Sequence, residues 1–164
     1  MRVPLSSPIT VRLAGVDDLD ALANLNDQVQ LLHFTAEPWE YKEPNHDAAL
    51  AHFETVFGEG KLIVLLAECD GAALGYLMAE EVRRADNARK HGTSFLYVHH
   101  VAANEIFRRR GVGTALINRA IDFANERGLT DLRLNTGTFN AQAQEFFRMQ
   151  GFDNFEIRML RRAK

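Results

Sequence analysis

Residues 108–117, RRRGVGTALI, place three arginines ahead of two glycines and run straight into an apolar stretch with helical spacing. A strand, a glycine-bearing turn and a helix in that order can hold phosphate, because the amides of a helix's first turn are unpaired and the helix dipole favours an anion there. Gly111 and Gly113 let backbone approach phosphate oxygens with no Cβ in the way. Consecutive N–H groups from about Arg109 to Thr114, with Val112 among them, can form the cradle. The Thr114 hydroxyl adds a further contact, and Arg108 or Arg110 neutralises charge. The plain alternative is an exposed arginine-rich turn whose glycines only shape the backbone. Two other phosphate loops do not fit the chain: GxxxxGK(S/T) is missing, and no GxGxxG opens near the amino terminus.

The elements needed to position this loop can be read on either side of it. Thr10–Leu13 reads as a first strand, and Asp17 or Asp18 can cap a helix to about His33, with Leu19, Leu22, Leu25, Val29 and Leu32 on one face. TAEPWEYKEPNH reads as a loop before a second helix from about His46 to Phe57. KLIVLLAECDGAALGYLMAEEV gives two apolar strands joined at Asp70-Gly71, a strong hairpin signal, and RRADNARKHG an exposed turn. TSFLYVHHVAA is strand four, after which NEIFRRRGVG enters a long helix, Thr114 to Arg127, closed by Gly128. DLRLNT is a fifth strand, Asn140 caps a short helix AQAQEFFRMQ stopped by Gly151, and NFEIRMLRR supplies one more strand. The order β-α-α-β-β-β-α-β-α-β predicts an α/β (α+β) mixed sheet with helices packed on it.

Composition narrows the class further. At 164 residues the chain suits one domain spanning 1–164, and 46% hydrophobic with 25% charged residues excludes a disordered or fibrous protein. Apolar residues are scattered, and MRVPLSSPITVRL alternates like a strand rather than forming a signal peptide's apolar segment, so the reading is a soluble, cytoplasmic protein with no membrane partner. The single Cys69 rules out an internal disulfide and leaves no cysteine cluster for zinc; no metal is expected. A net charge of −3 argues against a nucleic-acid partner, although Arg108–Arg110 and the tail from Arg158 are basic. Residues 1–48 carry eight acids against Arg2, Arg12 and Lys42, which fits either a solvated helix face or attraction of a cationic acceptor.

Taken together, Arg108-x-x-Gly111-x-Gly113 and the later NAQAQEFFRMQGF, with Asn140, Ala143, Phe146, Phe147, Gly151 and Phe152, resemble the two signatures of the Gcn5-related N-acetyltransferases. Both motifs occur in order, separated by a helix and a strand, and the element order is similar over nearly the whole chain. The resemblance implies a largely antiparallel sheet splayed between strands four and five with helices on both faces. It also implies acetyl-CoA as cofactor, its pantetheine arm pairing with strand four near Val101 and Ala103. Asn140 lies beside that arm, caps its helix, or does both.

The activity implied is direct acetyl transfer to an amine of a small molecule or peptide, possible in a homodimer; the alternative is a CoA-binding regulatory module with little turnover. His99 and His100 lie where many relatives keep an acidic residue, and either can serve as a base near neutral pH. Alternation sends them to opposite faces unless a bulge intervenes. The family's usual tyrosine acid is Phe147 here, so the leaving thiolate departs unaided or to water, Tyr97 or Tyr76 supplies the proton, or turnover is absent. On the acceptor side, His33, Trp39 and Tyr41 with nearby acids can hold a cation, or the aromatics simply pack.

Overall fold

The computed structural model describes residue 5 and residues 7–163, so part of the strand-like alternation read in the first nine residues lies outside the described ones. Strand β1 (Thr10–Leu13) is followed by a short 3-10 turn and helix α1 (Leu19–Ala36), then α2 (His46–Glu59), β2 (Leu62–Cys69), β3 (Ala72–Arg84) and β4 (Thr93–Ala103). A second 3-10 turn (Glu105–Phe107) leads into α3 (Val112–Glu126), β5 (Asp131–Leu134) and α4 (Ala141–Met149). The sheet runs β1-β2-β3-β4-β5, antiparallel throughout except for the parallel β4–β5 pair.

Local chemistry explains where most elements begin and end. Asp18 turns its carboxylate back to the Gly15 amide at 2.9 Å and to Arg12 at 2.8 Å, fixing the entry to α1. The Asn45 side chain accepts from the Ala48 amide at 2.9 Å and starts α2, which Gly60 stops in the left-handed region. Asp70 and Gly71 both have positive φ, 50° and 79°, matching the twist of a tight two-residue hairpin. Helix α1 extends past the expected His33 to Ala36, and α3 starts at Val112 rather than Thr114.

Each face of the sheet carries its own core. On one, Leu65, Leu77, Leu96 and Val98 meet Val112, Leu116, Ile117 and Ala120 of α3, with Phe146 and Phe147 of α4 packed alongside. On the other, Val64, Leu66, Tyr76 and Met78 meet Leu22, Leu25 and Val29 of α1 and Phe53 and Val56 of α2.

The strand expected over NFEIRMLRR does not form. Residues 152–163 have no regular secondary structure, and Phe155, Ile157, Met159 and Leu160 are exposed by 70% to 94%. Alternation creates a strand only against a ladder, and β5 offers four residues of edge. The segment is held instead by cations on rings: Arg133 lies 5.0 Å from the Phe155 ring and Arg162 lies 4.2 Å from the Trp39 ring.

This division between packed and unpacked apolar residues has a direct thermodynamic consequence. Leu116→Ala, fully buried between α3 and the sheet, should cost about 3 kcal/mol in denaturant unfolding. Leu160→Ala in the exposed segment should change stability by less than about 0.5 kcal/mol. A large loss at Leu160 would show that the segment is packed in solution.

Candidate functional site

The arginine loop adopts the geometry of an anion cradle. Arg109 and Gly111 take positive φ, 60° and 86°, and Gly111 occupies the N-cap position of α3 without a side-chain cap. The first backbone bond of the helix is Ala115 N–H to Gly111 C=O at 2.8 Å, which leaves the amides of Val112, Gly113 and Thr114 in the orphaned first turn. Arg110 stacks its guanidinium 5.6 Å from the Phe107 ring, and its Nη2 is buried without a hydrogen-bond partner. Such a donor is costly unless a ligand accepts from it. Arg108 is paired with Glu105 at 3.4 Å.

Gly113 also has a close neighbour within the protein. A Cβ built there would stand 2.8 Å from Cζ of Phe146, so this glycine admits the α4 ring against α3. That contact ties the second motif to the first. Asn140 caps α4 by accepting from the Ala143 amide at 3.0 Å, and Phe147 packs between Phe146 and Phe152, with ring centroids at 5.2 and 5.6 Å.

Strand β4 carries the loop's other boundary. Its parallel pairing with β5 runs from Phe95–Asp131 to Val98–Leu134 and stops there, while β4 continues antiparallel to β3 through Val101–Leu77 and Ala103–Gly75. Beyond Val98, therefore, the β5-side edge of β4 has no strand partner among the described residues. Val101 and Ala103 lie on that stretch of β4.

A bulge sits at that same point. Ala79 faces Val98 and Met78 faces His100, so His99 is the extra residue in β4. The simple alternation rule consequently fails for the histidine pair. His99 Nε2 lies 3.2 Å from Glu80 and its ring is edge-on to Tyr97 at 4.9 Å. His100 Nδ1 lies 2.6 Å from the hydroxyl of Tyr76. Tyr76 and Glu80 have the same parity on β3, so both histidines face the α1–α2 side.

There His100 joins residues expected to meet an acceptor. The His33 ring from α1 lies 6.1 Å from His100, 4.7 Å from Tyr41 and 5.7 Å from Phe139. Trp39 is 53% exposed and lies under Arg162. Sequence reasoning missed Phe139 and Asn26 as members of these clusters. Asn26 was discoverable: it falls four residues after Leu22 and three before Val29, a polar residue inside the buried stripe of α1. Phe139, in the loop after β5, carried no such signal.

Burial shifts the titrations of this cluster toward the neutral forms. Burial pushes the His100 pKa down to about 4, with the nearby charges of His33, His52 and His99 acting in the same direction. Burial also lowers His33, opposed by Glu37. Burial raises the Tyr76 phenol far above its ordinary value, and burial followed by the charges of Glu37 and Glu40 raises Tyr41. Among the described residues there is no group of three or more His, Cys, Asp or Glu arranged for a metal, and no helix long and apolar enough to cross a membrane.

The splayed sheet, the cradle and the helix order define a class. A sequence profile of the acetyltransferase (GNAT) family matches residues 26–152, and the chain belongs to that family. It is 29% identical over 152 residues to an uncharacterised N-acetyltransferase of Methanocaldococcus jannaschii, covering 90% of this chain and 62% of that one. It is 25% identical over 114 residues to streptothricin acetyltransferase A of Bacillus subtilis, covering 70% and 65%. The chain thus spans less than two thirds of the length of these curated relatives. In fold it is similar to a Bacillus halodurans protein, TM-score 0.87 at 19% identity, covering 94% and 99% of the chains. It is also similar to an aminoglycoside N-acetyltransferase solved with CoA, TM-score 0.76 at 22% identity, covering 99% of each.

The depressed His100 pKa has a thermodynamic signature. The unfolded histidine binds a proton near pH 6.5 and the folded one only near pH 4, so the unfolded state holds more protons in between. This contribution to stability is complete above pH 6.5 and is lost as pH falls from 6.5 to 4, on the order of 3 kcal/mol in full. Denaturant unfolding at pH 7.5 and 4.5 should show His100→Gln losing markedly less stability on acidification than the wild type. Equal losses would mean that His100 titrates normally.

Proposed function

We propose that the chain is a single catalytic unit that transfers an acetyl group from acetyl-CoA to an amine of a small molecule or peptide. The observation that carries the reading is the open edge of β4 beyond Val98, set between the anion cradle of α3 and the histidine cluster. The family supports the donor, and the names of the streptothricin and aminoglycoside relatives support an amine acceptor.

The residues present fit a CoA donor. The pyrophosphate is assigned to the amides of Val112, Gly113 and Thr114 and to the buried, unpartnered Nη2 of Arg110, with Arg109 shaping the turn and Arg108 beside it. The backbone of Val101 and Ala103 is assigned to the pantetheine amides, and Asn140, Ala143, Phe146 and Phe147 to the wall across the opening. Bound acetyl-CoA supplies an acyl thioester activated toward a neutral amine.

His33 and Tyr41, with Phe139, hold the acceptor beside His100, while Trp39 offers a face for a cationic group, as its own Arg162 demonstrates. His100 is assigned the amine hydrogen because it shares the cluster with His33; His99 is engaged with Glu80 and Tyr97. Being neutral at working pH, His100 accepts a hydrogen bond from the uncharged amine and aims the nitrogen lone pair. Phe147 has no proton to give and is packed between two other rings. Protonation of the leaving thiolate therefore falls to water, which a thiol pKa of about 8.5 permits. Tyr97, edge-on to His99 at 4.9 Å, is the alternative donor. A pairing of two copies through a sheet edge, by family analogy, and a cytoplasmic location, from the scattered apolar residues, complete the proposal.

Two measurements test it. Arg110→Ala should weaken acetyl-CoA binding at least tenfold by calorimetry, about 1.4 kcal/mol, in a folded protein. Unchanged affinity would remove the loop from the donor site. His100→Ala should lower kcat in a transfer assay over a panel of amines by about 100-fold while sparing acetyl-CoA affinity. Tight CoA binding with no transfer to any amine by the wild type would favour instead a CoA-responsive regulatory module, the reading that the missing hydroxyl at Phe147 supports.

A further inference from the structure

Behind His100 lies a polar chain inside an apolar core. The Tyr76 side chain is fully buried, and its phenolic oxygen stands 2.6 Å from His100 Nδ1 and 3.1 Å from Oδ1 of Asn26 on α1. One phenolic proton serves two neighbours. Asn26 Oδ1 is a carbonyl oxygen and can only accept, so the phenolic hydrogen belongs to it. The 2.6 Å contact then needs its hydrogen from His100, which makes Nδ1 the protonated nitrogen and leaves Nε2 with a bare lone pair.

We infer that Tyr76 and Asn26 are positioning residues that lock His100 in the Nδ1–H tautomer and thereby present Nε2 as the hydrogen acceptor. The functional half of this inference rests on the assignment of His100 above; the tautomer itself does not. Burial keeps His100 neutral down to about pH 4, so a single ring hydrogen must choose between two nitrogens, and the Tyr76 phenol stays protonated because burial raises its pKa. The His33 ring lies edge-on to the imidazole at 6.1 Å, and His52 and His99 are its other titratable neighbours. In a site of this kind the wrong tautomer offers the amine a donor where it needs an acceptor, and geometry alone does not compensate.

The reverse arrangement makes an opposite statement about every atom. If the Asn26 amide nitrogen faced the phenol, Tyr76 would donate to Nδ1 and Nε2 would carry the hydrogen. Two-dimensional nitrogen–proton correlation on the histidine-labelled protein at pH 7, with His100→Gln to assign the signal, distinguishes the two without any CoA present. The expected result is an Nδ1–H pattern for His100. An Nε2–H pattern overturns the inference.

Variants carry the test to the residues themselves. Asn26→Asp, which can only accept, should retain the Nδ1–H pattern, whereas Asn26→Leu should not; loss of the pattern in the aspartate variant overturns the role of Asn26 as acceptor. Tyr76→Phe keeps the ring and removes the link, so the pattern should become mixed, and kcat should fall tenfold or more with the KM for acetyl-CoA unchanged. A Tyr76→Phe protein that retains the pure pattern, or that loses acetyl-CoA affinity instead of kcat, also overturns it. Should Tyr76→Phe fail to fold, the wild-type and Asn26 spectra still decide. An intact tautomer in a protein that acetylates no amine would defeat the transfer reading and leave the positioning inference standing.

Discussion

One extra residue in β4 organises most of what is distinctive in this molecule. Opposite Met78 and Ala79 of β3, the chain places Val98, His99 and His100, and from there the parity of the strand is reversed. Leu96 and Val98 before the bulge, and Val101 and Ala103 after it, all pack toward α3. His99 and His100 consequently share the opposite side with Tyr76 and the α1–α2 core. Pairing with β5 ends at the same residue, Val98, and a bulged strand bends and twists more strongly than a regular one. The polar cluster and the opening thus share one local departure from the ladder.

The second constraint is the contact between Gly113 and Phe146. It sets α4 against the first turn of α3, so that the Asn140 cap and the orphaned amides of the cradle are held by one aromatic ring seated on one glycine. A motif that reads in sequence as a phosphate loop is, in the folded molecule, also the seat of the helix that closes the far wall. Arg110 completes the arrangement: its unpartnered Nη2 is the kind of buried donor that folded proteins rarely leave empty.

Placing a phenol, an amide and an imidazole between apolar helices and a sheet has a cost that the hydrogen-bond chain offsets only if every member is satisfied. Two such bonds join Asn26 to Tyr76 at 3.1 Å and Tyr76 to His100 at 2.6 Å. The same burial that makes the network expensive holds His100 neutral, so its neutrality and the stability penalty in acid have a common origin. Membership of the acetyltransferase family agrees with a sheet whose β4–β5 pairing ends at Val98.

Much of this was legible from residue types and spacing. The glycine and arginine pattern at 108–113, the Asn140 cap, the Asp70-Gly71 turn and the apolar stripes of α1 and α3 depend on neighbours within a few residues, where backbone conformation and helical or strand periodicity act directly. Three features were not. The terminal segment alternates like a strand yet has too short an edge to pair with; strand formation needs a partner that sequence cannot supply. Phe139, between β5 and α4, meets His33 of α1, a neighbour far away in sequence. Above all, alternation sends His99 and His100 to opposite faces unless a bulge intervenes, and their common orientation follows from a register slip against β3 that residue types do not announce. Register is decided by how two distant strands match their buried faces, so the chemistry of this histidine pair was a property of the sheet rather than of either residue.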